Sequence, residues 1–190
     1  NHDYSLWEEH CNYFTLSTLR LLLAKHGFQV YHHETTLFAG KALTVFAQLG
    51  DSTVNPDPSS VNDAKSYESS YSQFRNLLTN WLSNIISETG YKFCVYGAGA
   101  RSCNFVNLLG LSDYIDFFVD DQPEKQGFII PGCMKQIKPF SEDYLSRPFL
   151  LGVNSETESK LLLNRPLKHA YSILPPSPRL PQFWKDLINA

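Results

Sequence analysis

Phe93-Cys94-Val95-Tyr96-Gly97-Ala98-Gly99-Ala100-Arg101-Ser102 decides the fold. A short apolar run enters a small-residue turn and leaves it as a helix, the order of a phosphate-binding strand–turn–helix. Gly97 permits the tight turn, and Gly99 lets backbone approach a ligand closely. Ala98 lies between them. The N–H groups that open the following helix have no partner within it, so they and the helix dipole favour an anion. Arg101 adds a positive charge in the first turn, and Asn104 follows one turn on. Ser102 stands where the third glycine of the dinucleotide fingerprint would be.

The pattern continues outward from that turn. Residues 92–96 and 115–119 read as buried strands around a helix at 101–109. Residues 149–153, 156–163 and 170–173 then repeat strand, helix, strand. Such alternation predicts an α/β fold, a Rossmann-like parallel sheet with flanking helices and right-handed crossovers. Twenty-four residues after Gly97 comes Asp121, with Asp120 before it, at the end of the next strand. A ribose-binding carboxylate sits at such a strand end in dinucleotide folds. The Lys125-Gln126-Gly127 and Pro131-Gly132 segment follows as a loop over the same crevice, from which Lys125 reaches a phosphate.

Upstream the texture changes. Residues 15–26 carry Leu16, Leu19, Leu22, Leu23 and Ala24 at helical spacing, stopped by Gly27. Residues 28–32 and 42–48 read as strands. This N-terminal segment, 1–50, is a helix plus two strands, too small a core to stand alone. Residues 51–62 are rich in Pro and Ser and read as a loop. A long linking helix over 64–89 then opens a Rossmann-like domain spanning 63–190, closed by four prolines and a tail helix at 182–188.

Composition narrows the class. Apolar residues make up 43% and charged residues 18%, with 13 Phe, 10 Tyr and 3 Trp, so the chain can form a core and is not disordered. A formal charge of −3 gives no electrostatic case for nucleic acid. No apolar run is long enough for a membrane span and no signal peptide is evident, so a cytoplasmic location is expected. Cys11, Cys94, Cys103 and Cys133 are scattered and expected to be free structural thiols. Zinc-type His spacing is absent, and His32 and His33 on a strand point to opposite faces, so no metal site is expected. The chain opens on Asn, so an excised piece of a larger protein is expected.

Trp7-Glu8-Glu9-His10-Cys11-Asn12-Tyr13-Phe14 gathers carboxylates, an imidazole and aromatics within eight residues. Histidine is the side chain best matched to proton transfer near neutral pH. Neighbours in sequence point apart, so Glu9 and His10 would contact different ligand atoms.

Together these segments resemble the C-terminal domain of the S-adenosylmethionine-dependent C-methyltransferases of deoxysugar nucleotides. Glu9-His10-Cys11-Asn12-Tyr13-Phe14 is similar to that family's EHxxYF, and Phe38 to Leu43 is weakly similar to its GGSLR. Tyr96 to Asn104 is similar to GYGAPAKGNT. Asp120 to Gly127, with Pro131-Gly132, is similar to DxxPxKQGxxxPG. The resemblance implies that His10 is the candidate base and that Glu9 binds or polarises the sugar. It also implies that Tyr13 and the turn residues hold a nucleotide sugar, and that an N-terminal methyltransferase domain of the parent protein binds S-adenosylmethionine. Gly99 and Arg101 replace the family's Pro and Lys, Ser102-Cys103 replaces its Gly before Asn, and Ala39-Gly40-Lys41 replaces GGS. Two other readings fit the same turn: a non-catalytic, regulatory Rossmann-like module, and a fragment of an NAD-dependent dehydrogenase.

Overall fold

Strands of four consecutive buried residues can exist only where both sheet faces are covered, and β3 (Phe93–Tyr96) and β7 (Pro148–Leu151) are of that kind, while β4 (Ile115–Val119) is buried at every position but Asp116. A computed structural model describes residues 12–37, 41–51, 53–55, 59–174 and 177–189. The described residues fall into two compact units, 12–71 and 72–189. The long helix α2 (Ser59–Thr89) carries the chain from one to the other.

The second unit holds a six-stranded sheet in the order β5-β6-β4-β3-β7-β8. Here β5 is Ile129–Ile130, β6 is Lys135–Lys138 and β8 is His169–Ser172. All neighbours run parallel except β5, which pairs antiparallel with β6. The α/β, mostly parallel Rossmann-type expectation is therefore met. Strand order reverses between β3 and β7, since β3 leads to β4 on one side while the later strands fill the other. In such sheets ligands bind beyond the carboxyl ends of the strands at this switch point.

Alternate strand residues feed two separate cores. On one face Trp81 of α2 packs edge-on to Tyr171 at 4.7 Å and against Phe93 at 5.5 Å. Phe74 of α2 meets Trp184 of α5 (Gln182–Asn189) at 4.7 Å, and Phe105 of α3 (Ala100–Leu108) stacks on the same indole. On the other face Cys94, Tyr96, Phe117, Val119, Phe149 and Leu151 pack with Leu161 of α4 (Ser155–Asn164). Each fully buried Leu or Phe contributes about 1.5–3 kcal/mol of transfer free energy. Cys94, Cys103 and Cys133 are free thiols, as expected; Cys11 lies outside the described residues.

The first unit is slighter. Thr15 caps α1 (Leu16–Lys25) in a reciprocal box with Thr18, and β1 (Phe28–Leu37) and β2 (Lys41–Leu49) form a two-stranded antiparallel ribbon. Both strands run further than their sequence pattern predicts. Helix α2 likewise begins at Ser59, inside the polar stretch expected to be loop, because Ser, Asn and Asp suit helix starts as well as turns.

Candidate functional site

The turn after β3 is built by two glycines, one in the turn and one opposite it. Gly97 has φ +94, and a β-carbon there would lie 2.8 Å from Val153 Cγ1, so only glycine fits. Its N–H donates to the Val119 carbonyl at 2.8 Å, tying the turn to the end of β4. Ser102 on α3 is fully buried and faces Gly152 at the end of β7. A β-carbon on Gly152 would come within 1.8 Å of Ser102 Oγ. The close helix–strand approach that a third fingerprint glycine gives is therefore kept, with the glycine on the opposite side of the contact.

Gly99 is the N-cap of α3, in an extended conformation and without a side-chain cap. A β-carbon on it would meet nothing within 4 Å. The protein's own packing does not require glycine there, and the space that a β-carbon on Gly99 would take is open. Arg101 and Asn104 stand half-buried on the first turns of α3.

Asp120 is buried, and the chain itself occupies its carboxylate. Oδ2 accepts the Ala98 N–H at 2.8 Å and lies 3.2 Å from Lys125 Nζ, while Oδ1 accepts the Gln122 N–H at 3.0 Å. Gln126 Nε2 donates to the Asp120 carbonyl at 3.0 Å. Asp120 thus clamps the glycine turn to the Lys125 segment, and Lys125 lies on that clamp.

Asp121 points elsewhere. Tyr96 donates its hydroxyl to Asp121 at 2.9 Å, and Arg165 holds the same carboxylate at 2.9 Å. The Arg165 guanidinium lies over the rings of Phe140, at 4.3 Å, and Tyr96, at 5.3 Å. Burial, and then the Asp120 charge, push the Asp121 carboxyl above its ordinary value.

The geometry therefore brings Gly97, Ala98, Gly99, Arg101, Asn104, Asp120, Asp121 and Lys125 to the carboxyl ends of β3 and β4. Tyr13 is exposed in the other unit, just ahead of α1. Glu9 and His10 lie outside the described residues. Sequence reading missed Gly152, Tyr96 as a hydrogen-bond donor, Phe140 and Arg165. A glycine ending an apolar run was the available signal for Gly152, whereas nothing local marks Arg165, 44 residues from its partner. Among the described residues no three His, Cys, Asp or Glu side chains gather as a metal would need, and no helix is long and apolar enough to cross a membrane.

No curated protein matches the chain. Among solved structures, RSP, a Rex-family repressor, is similar at 17% identity and a TM-score of 0.37, over 60% of this chain and 64% of that one. RSP in complex with beta-NAD+ and operator DNA is similar at 16% identity and a TM-score of 0.36, over 52% and 54%. Likeness at this level carries no conclusion about this chain. Residues 55–148, which carry the glycine turn, the acidic end of β4 and the Lys125 segment, match the family model of the C-methyltransferase C-terminal domain, and so point to a methyltransferase-associated domain.

Proposed function

We propose that this chain is the substrate-binding C-terminal domain of an S-adenosylmethionine-dependent C-methyltransferase acting on a keto-deoxysugar nucleotide. The observation that carries this reading is the open space where a β-carbon on Gly99 would sit, at the N-cap of α3, on the switch-point side of the sheet and within the matched segment. The diphosphate lies against the N–H groups of the first turn of α3 beside Arg101. Asp121 takes sugar or ribose hydroxyls. Lys125 can exchange Asp120 for a phosphate oxygen when one arrives.

The methyl donor does not fit this turn. S-adenosylmethionine has no phosphate to offer the turn, and its sulfonium and ammonium outnumber its one carboxylate, so its net positive charge is disfavoured beside Arg101. The donor belongs in the parent protein's methyltransferase domain. The chain's own chemistry is proton removal. His10 takes the proton from the carbon next to the sugar ketone, and Glu9 binds or polarises the sugar.

Calorimetric titration of the chain with deoxythymidine or uridine diphosphate hexoses tests the binding reading. Saturable binding is expected, weakened about tenfold by Arg101→Glu through the reversed charge at the helix start. No heat at millimolar sugar nucleotide would sink it.

The Asp120–Lys125 pair, in which both charges are already matched, favours a second reading, a non-catalytic nucleotide-binding module. His10→Ala in the intact parent protein separates the two. Lost turnover with folding retained supports the enzyme, and unchanged turnover supports the module.

A further inference from the structure

The two carboxylates that follow β4 are held in opposite ways. Asp120 is buried, and the Ala98 and Gln122 N–H groups and Lys125 Nζ occupy its oxygens. Asp121 is straddled by two donors. The Tyr96 hydroxyl lies 2.9 Å from each of its oxygens, and Arg165 Nη1 lies 2.9 Å from Oδ1 and 3.0 Å from Oδ2. An ionised carboxylate has about four acceptor sites. With 57% of the Asp121 side chain exposed, acceptor sites remain toward solvent. Both donors are themselves fixed. Tyr96 is buried, its ring against Phe140 and Phe149 at 6.2 and 6.1 Å. Arg165, the C-cap of α4, has its guanidinium over the Phe140 ring at 4.3 Å.

Resting on the sugar-nucleotide reading, we infer that Tyr96 and Arg165 are positioning residues, which hold Asp121 as the acceptor of a pair of neighbouring ligand hydroxyls. The chemistry of the spot selects hydroxyls. A further anion is repelled by Asp121 beside Asp120, and a cation gains little because Arg165 already matches the Asp121 charge. Neutral O–H donors keep the benefit of an ionised acceptor. Asp120 cannot take this part, since its oxygens are spent on the glycine turn and Lys125. Tyr96 and Arg165 act through Asp121 and need not touch the ligand. Without them the carboxylate samples several rotamers, and ordering it on binding costs affinity. Neighbouring hydroxyls come from two sources on such a ligand, the ribose and the hexose ring.

A double-mutant cycle on affinity tests this, by calorimetry of the full chain with uridine diphosphate glucose and with deoxythymidine diphosphate glucose. Asp121→Ala is expected to weaken binding about tenfold, and Tyr96→Phe, which removes one hydroxyl and no charge, about threefold. In the Asp121→Ala background Tyr96→Phe is expected to change affinity by less than about twofold, because the group it positions is gone. Arg165→Gln follows the same pattern, and Arg165→Lys, which keeps the charge but not the fork, recovers part of what Arg165→Gln loses. A packing role would cost the same in both backgrounds. Coupling with the uridine probe alone assigns the hydroxyls to the ribose, and coupling with both probes assigns them to the hexose. Additive losses with both probes, in variants whose circular dichroism is unchanged, overturn the inference and leave the sugar-nucleotide reading standing. No binding of either probe to the unmodified chain overturns both.

Discussion

The six-stranded sheet and the two-stranded ribbon draw on the same apolar side chains, yet only the sheet buries them. Strands β3, β4 and β7 reach burial because α2, α3 and α5 cover one face and α4 the other. Strands β1 and β2 are twice as long and bury nothing among the described residues. Strand length and β-propensity therefore say little about stability, which depends on the layer laid over the strand. The sharpest break in this comparison comes from truncating one side chain in each unit. Phe74→Ala removes a fully buried ring that meets both Phe183 and Trp184, and should cost about 3–5 kcal/mol in urea unfolding. Leu22→Ala, on the exposed side of α1, should cost about 1 kcal/mol or less. Equal costs would mean that the ribbon unit has a core of its own.

The next effect in size concerns how the sheet unit closes around its turn. Gly152→Ala places a methyl group 1.8 Å from Ser102 Oγ, and rotating the hydroxyl away still leaves Ser102 Cβ at 2.9 Å. Helix α3 must move, at a cost of about 2–3 kcal/mol, and its N-terminus moves with it. Adding Ser102→Gly reopens the space, though a glycine inside the helix costs up to about 1 kcal/mol by itself. A double-mutant cycle should show the two positions strongly coupled, with the pair more stable than Gly152→Ala alone. Additive effects would show that Gly152 is not the counterpart of the missing third glycine.

How much of this was legible depended on whether the information was local. The strands around Cys94, Phe117 and Leu150 were readable because continuous apolar runs between turn signals have few other uses. β5 and β6 were not: Ile129–Ile130 is too short for a period to show and falls in the segment that reads as loop, and Lys135–Lys138 is too short and polar to read as any element. The turn was legible from Gly97, and the acidic strand end from its spacing. What each acid does was not legible. Adjacent in sequence, Asp120 turns inward to the Ala98 N–H, Lys125 and Gln122, while Asp121 turns to Tyr96 and to Arg165 from beyond α4. Those partners are fixed by the sheet order, which no local pattern encodes. In the ribbon the reverse holds: its strands were visible in sequence, and what covers them was not.

The smallest expected effect isolates the sheet unit by pH. Cys94 on β3 is fully buried, and burial pushes its thiol up from an ordinary 9.0 to about 12, with the nearby Arg147 charge opposing the shift. Below pH 9 the thiol is protonated whether the chain is folded or unfolded, so it adds no pH dependence there. Between pH 9 and pH 12 the unfolded chain releases the proton and the folded chain retains it, so stability falls as pH rises, by at most about 1.4 kcal/mol per pH unit. Cys94→Ala removes this slope. The variant should be the less stable protein near pH 7, by about 1 kcal/mol for the lost packing, and the gap should narrow or invert by pH 10.5. Cys94 lies on β3, so the slope that Cys94→Ala removes reports on the sheet unit. Wild-type and variant stabilities that stay parallel from pH 8 to pH 10.5 would mean that water reaches Cys94 and that the sheet's second face is less closed than its packing with α4 implies.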